Sequence, residues 1–298
     1  MSHKIKKIIK RNRQQIVYAM AGITFILVII SAVYTIRQLS MEINIDRAVT
    51  AIAVVTAAPK PVQEKIVEIT PEPVLEQKHP LPKDSPVYSE ENIFTFLQGP
   101  KSWKEGIDWS GSWGEEFYDG GSFGSFGCGL CCLANVYSTI STYQCTPVDM
   151  YRFTKKNTGY SGGGAIAWDY MDTALNKLGF STSLKHKPRS YRAFRKQIEV
   201  AECSIVLISS NNSRCYWKNT PGHYVTIFSY DKETGTVFLA DSGDPHHNRQ
   251  RVKLHKIYKS LKTESEWQYL IAGSYNRKND TWKYKRLDGR WIKPVYMQ

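Results

Sequence analysis

Residues 16–36, IVYAMAGITFILVIISAVYTI, form 21 consecutive positions without a charge. Rising about 1.5 Å per residue as a helix, such a run spans about 30 Å, the thickness of a bilayer's hydrocarbon core. It is expected to be a transmembrane helix. A cleavable signal sequence has a shorter apolar region, about 7 to 15 residues, followed by small residues at a cleavage site. The run is too long for that, although AVTAIAVVTAA further on resembles a processing region. Lys4, Lys6, Lys7, Lys10, Arg11 and Arg13 lie in the preceding basic segment, residues 1–15. Positive flanks stay in the cytoplasm, so everything after Gln38 is expected outside. The chain reads as a single-pass protein of the cell membrane with an extracytoplasmic domain.

The net charge of +13 is unevenly placed. Six positive charges flank the apolar run, and a second excess lies in residues 276–298. There Arg277, Lys278, Lys283, Lys285, Arg286, Arg290 and Lys293 face only Asp280 and Asp288. On an exported domain this basic C-terminal tail suits an anionic membrane surface or wall polymer, or is simply solvated. No nucleic-acid partner is expected. Residues 37–90 include prolines at 59, 61, 71, 73, 80, 82 and 86 with no helical or strand period. That spacing predicts an extended, semi-rigid stalk.

Residues 91–275 are expected to fold. A helix should follow Cys128, because Leu130, Leu133, Ala134 and Tyr137 recur at helical spacing. A second is signalled by Thr146 as N-cap and Pro147 at the first helical position, and a third runs from about Ala165 to Leu178 before Gly179. Then come FSTSLKH as a strand, a helix capped by Ser190, and CSIVLIS as a strand. HYVTIFSY and TVFLADS form a hairpin across DKETG, and WQYLIAGSY is the last strand. Helices first and antiparallel strands second predict an α+β fold.

The chemistry centres on GGSFGSFGCGLCCLANVYS, residues 120–138. A cysteine opening a helix sits where unpaired N–H groups and the positive macrodipole end favour a thiolate. The glycines before it permit a tight turn and close approach of a substrate backbone. Cys128 therefore has the placement of a nucleophile, whereas Cys131 and Cys132, inside the helix, read as small buried hydrophobes. A thiolate that attacks a carbonyl needs an imidazole to carry its proton. Of seven histidines, at 3, 79, 186, 223, 246, 247 and 255, His223 opens an apolar strand. With Asp231–Gly235 as the hairpin loop, Tyr230 faces Thr236, His223 faces Gly243 and Val225 faces Asp241. His223 and Asp241 are then diagonal neighbours on one face, roughly 7 to 8 Å apart at the backbone. Asp244 would lie on the other face, and a one-residue bulge would reverse the preference. Adjacent His246 and His247 read as surface.

FGCGLCCLANVYS, followed 95 residues after the cysteine by GHYVTIFSYDKETGTVFLADSG, resembles the bacteriocin-processing (double-glycine) peptidase-like family, a branch of the papain-like cysteine peptidases. The resemblance covers about Phe123 to Gly243. It implies a papain-like fold in which Cys128 is the nucleophile, His223 the general acid/base and Asp241 its orienter. It also implies a peptide substrate and no cofactor. Processing members carry a glutamine six residues before the cysteine to bind the oxyanion, where this chain has Ser122. The backbone N–H of Cys128 remains a donor, with Ser122 or Ser125 as candidates for the second. Oxyanion stabilisation is commonly the largest catalytic contribution. No nucleotide-binding or multi-span transporter sequence accompanies the domain.

The expected activity is hydrolysis of peptide or amide bonds. The cell-wall peptides cleaved by cysteine-histidine amidase domains are a variant substrate, and a catalytically silent binding module on the same fold is the alternative. CGLC, Cys128 to Cys131, also has the spacing of thiol-disulfide exchangers, but GGSFGSF is not the buried strand that precedes such motifs. No second C-x-x-C or paired histidine motif completes a zinc site. Trp103, Trp109, Trp113, Trp168 and Trp217 either line a groove or fill the core.

Overall fold

The computed structural model describes residues 88–211, 216–287 and 289–298. The expected transmembrane helix, its basic flank, nearly all of the stalk and Cys215 lie outside the described residues. Among those described, no helix is long and apolar enough to cross a membrane.

The architecture is α+β. After α1 (Pro100–Lys104) and a small hairpin, β1 (Phe117–Tyr118) and β2 (Gly121–Ser122), come α2 (Phe123–Phe126), α3 (Cys128–Ile140), α4 (Pro147–Asn157) and α5 (Trp168–Lys177). The remainder alternates: β3 (Phe180–Lys185), α6 (Tyr191–Ile198), β4 (Cys203–Ile208), β5 (His223–Asp231), β6 (Thr236–Ala240), β7 (Gln250–Lys253), α7 (Leu254–Ser260) and β8 (Tyr269–Tyr275). The main sheet is antiparallel throughout, in the order β3-β8-β4-β5-β6-β7.

Local chemistry accounts for the helix ends. Thr146 accepts from the Asp149 N–H while Asp149 accepts from the Thr146 N–H, a reciprocal capping box that starts α4 at Pro147. Ser190 accepts from the Ala193 N–H at the start of α6. α5 begins at Trp168, three residues later than expected, because Ala167 is extended. Gly179, at φ 85°, ends it where expected.

Strands β4 and β6 are buried along their whole length. Alternation sorts their side chains into two cores. Ile205, Leu207, Tyr224, Phe228, Phe238, Ala240, Leu270 and Ala272 join α3, α4 and α5 on one face. Val206, Ile208, Val225, Ile227, Val237, Leu239 and Tyr269 join α6 and α7 on the other. Covering both faces explains why these strands read as continuous apolar runs. The segment giving β7 and α7 had no expected element. In β7 only Val252 is buried, so its edge strand carries no apolar alternation.

The basic segment 276–298 is packed onto the domain rather than extending from it as a tail. Trp109 N–H donates to the Ile292 carbonyl, Ile292 N–H to that of Ser110, and Ser112 N–H to that of Arg290. The Trp291 ring sits 5.1 to 6.3 Å from those of Phe94, Phe96 and Trp109. Buried Asp280 accepts from the Tyr137 hydroxyl at 3.0 Å, the Tyr275 hydroxyl at 2.8 Å, and the Trp282 and Lys283 N–H groups at 2.8 and 2.9 Å. The charges remain outward while the aromatic residues between them supply the contact.

Asp280→Ala removes four accepted bonds from a buried position, including those from α3 and β8. It is expected to lower stability by about 2 to 4 kcal/mol in urea denaturation. Lys285→Ala, at an exposed position, should change it by less than about 0.5 kcal/mol.

Candidate active site

α3 starts at Cys128, and eleven of its thirteen residues, Cys128 to Ser138, are buried. α2 runs almost directly into it through Gly127, whose N–H donates to the Phe123 carbonyl and whose carbonyl accepts from Cys131. Of the glycines approaching Cys128, only Gly120, at φ 83°, needs a left-handed backbone, and it turns the β1–β2 hairpin. The others are small because the protein itself fills their space. A Cβ on Gly127 would lie 2.3 Å from the Phe123 ring, and one on Gly121 would lie 2.1 Å from the Gly163 carbonyl. The expected room for a substrate backbone at these positions is therefore occupied.

The hairpin places His223 and Asp241 as expected, by a different route. Strand β5 continues to Asp231, which pairs with Thr236, one residue out of the expected register. An irregularity between Phe228 and Asp231, with Ser229 at φ 47°, absorbs the extra residue. From Phe228↔Phe238 to Thr226↔Ala240 the pairing then matches the expected register. Two departures cancel, and the diagonal relation survives: His223 Nε2 lies 2.8 Å from Asp241 Oδ1.

That bond leaves Nδ1 as the nitrogen free for sulfur. Burial pushes the Cys128 thiol up, but the His223 imidazole and its charge, with the Tyr224 and Gly129 N–H groups, outweigh it. The thiol is lowered overall. Burial likewise disfavours a charged His223, yet its bonds to Asp241 and Cys128 hold its pKa well above the ordinary imidazole value. Burial also raises Asp241, and the His223 and Trp217 donors, with the His247 ring beside them, reverse this, holding it far below the usual carboxylate range. A lowered thiol facing a raised imidazole favours a thiolate–imidazolium pair, populated above the Cys128 pKa and lost as pH rises through that of His223. Cys131 and Cys132 are fully buried, and burial pushes both thiols well up. All five described cysteines are free thiols.

Ser125 is exposed, and its hydroxyl donates to the Ser122 carbonyl at 2.7 Å. Ser122 is half-buried at the end of β2, in the position before α2. Asp244 does not partner His223; it faces His247. Among the described residues, no cluster of three or more His, Cys, Asp or Glu could hold a metal ion.

Three contributors escaped the sequence reading. Trp217 donates its indole N–H to Asp241 Oδ2 at 2.7 Å, so it braces the carboxylate. His247 sits against the same oxygen at 3.6 Å. Gln98, nearly buried, accepts from the Ser242 hydroxyl and donates to the Gly124 carbonyl, tying the approach to Cys128 to the segment after Asp241. A lone glutamine in IFTFLQGP carries no signal of that role. A cleft of about 550 Å³ opens beside His223 and Asp241, lined also by Tyr216, Trp217, Asp244 and His247.

Iodoacetamide should therefore label Cys128 first among the described cysteines, with reactivity persisting below pH 7. His223→Ala should remove that persistence and move the labelling to about pH 8.5 or above, the range of an ordinary or buried thiol, read by peptide mass spectrometry. The chain matches no protein-family model and no curated protein, so the reading of this site rests on its own geometry.

Proposed function

We propose that this chain is a membrane-anchored, extracytoplasmic thiol hydrolase of papain-like type that cleaves peptide or other amide bonds. One observation carries the reading: a thiol at the start of a buried helix is held below its ordinary pKa by an imidazole whose Nε2 lies 2.8 Å from a buried carboxylate. Nucleophile, base and orienter come from three separated segments, and an array of this kind serves acyl transfer.

In the proposed reaction Cys128 Sγ attacks the substrate carbonyl carbon, and the C=O electrons move to oxygen. The Cys128 N–H, at the helix start, is the available backbone donor to that oxyanion, with Ser122 or Ser125 as candidates for the second. Collapse breaks the C–N bond as His223 gives its proton to the leaving amine, forming a thioester. Water then loses a proton to His223 and attacks the thioester carbonyl. Collapse breaks the C–S bond, releasing the carboxylic acid with Cys128 as the thiolate and His223 as the imidazolium. Asp241 holds the ring and stays ionised throughout. The membrane anchorage and outward orientation rest on the apolar run at 16–36 and its basic flank.

The test uses the full-length protein with a mixed peptide library and with cell-wall peptides, following cleavage by mass spectrometry. Cys128→Ala should abolish cleavage, and Asp241→Asn should lower kcat by about 10² to 10⁴. Turnover that survives Cys128→Ala overturns the proposal. Binding of a peptide by wild type and Cys128→Ala alike, without cleavage by either, would point to a binding module.

A further inference from the structure

Asp241 has two oxygens and two histidines. Oδ1 takes His223 Nε2 at 2.8 Å and the Gly243 N–H at 3.0 Å. Oδ2 takes the Trp217 indole at 2.7 Å and lies 3.6 Å from His247 Nδ1. The same nitrogen is also 3.6 Å from Asp244 Oδ2. His247 Nδ1 is buried and within hydrogen-bond length of no acceptor, so its nearest neighbours are two carboxylates that attract it by charge. The ring is fixed on another side by Tyr216, 4.3 Å between centroids.

Every charged group around that ring has a sign that bears on its proton. Asp241, at the end of β6, and Asp244, in the following loop, favour the cation. His223, from β5, opposes it when charged. Lys256, from α7, reaches the far side of the arrangement over the Tyr216 ring at 5.5 Å, and Lys218 lines the same cleft. With Asp241, 3.6 Å away, as the leading influence, the imidazole holds its proton more tightly than a free one. A cation on Oδ2 withdraws from His223 part of the negative charge that Asp241 supplies.

We propose that His247 is a positioning residue for the Cys128–His223–Asp241 array, a second imidazole whose charge on the shared carboxylate sets the pH range in which the thiolate–imidazolium pair exists. This rests on the hydrolase reading above, in that the pair is taken as the working form. While His247 is charged, its field stabilises the Cys128 thiolate and makes His223 easier to deprotonate. Loss of that charge moves both limits of the pair to higher pH. The residue acts through Asp241 and holds no substrate bond in this argument.

The experiment is the pH profile of Cys128 alkylation by iodoacetamide in the full-length protein, followed by peptide mass spectrometry. Wild type, His247→Gln and His247→Lys are compared, with thermal unfolding recorded for each. Gln keeps a hydrogen-bond donor and removes the charge, so the acidic limb should move up by about half a pH unit or more. Lys restores a cation and should return the limb toward its wild-type position. A His247→Gln limb that coincides with wild type, in a protein that unfolds at the same temperature, overturns the inference. A Lys variant that shifts as far as Gln does so too, because the effect would then follow shape rather than charge. Failure of the hydrolase reading is distinguishable: wild-type Cys128 would itself show ordinary thiol reactivity.

Discussion

A carboxylate whose side chain is 1% exposed stays ionised only if donors replace the water it has lost. Asp241 imposes that requirement, and the segments around it are arranged to meet it. His223 and Gly243 serve one oxygen, and Trp217 and His247 serve the other. Asn248 accepts from the Asp241 N–H and donates to the Thr95 carbonyl, tying this strand end to the start of the domain. Gln98 connects the adjacent Ser242 to Gly124, four residues ahead of the cysteine. The carboxylate kept charged in this way raises His223, and through it lowers Cys128.

The sheet makes that arrangement possible by being buried on both faces. β4, β5 and β6 are walled by α3–α5 on one side and by α6 and α7 on the other. His223 and Asp241 stand at the ends of adjacent strands, with the parity of Val225 and Leu239, while Cys128 enters from the helical layer at the start of α3. The strand end is where a residue of one layer can reach a residue of the sheet without crossing it. A cleft remains open beside His223 and Asp241.

How much of this was legible follows from how local each cause is. The start of α4 was readable because Thr146 and Asp149 exchange capping bonds within four residues, with Pro147 at the first helical position. The β5–β6 relation was readable at the site because alternation is a local property, although β5 ended one residue later and a bulge restored the register. Trp217 was only one of five tryptophans with two open roles, since its partner is 24 residues away. His247 resembled a surface histidine because HHN carries no apolar period, and its meaning depends on the Asp241 oxygen that His223 leaves free. The segment 276–298 read as a charged tail because Trp282, Tyr284 and Trp291 are spaced among lysines and arginines. Their partners, Tyr137, Asp149 and Trp109, belong to earlier parts of the chain.

By itself the sequence determined the α+β order, the helix that opens at Cys128, and the parity that sets His223 beside Asp241. Those follow from periodicity, capping and strand alternation, which act over a few residues. Only the tertiary structure decided which donors surround Asp241, that the approaching glycines are filled by the protein's own atoms, and that the basic C-terminal segment closes against the first part of the domain. Burial and charge compensation are properties of atoms brought together from distant positions, and no local pattern encodes which of them will meet.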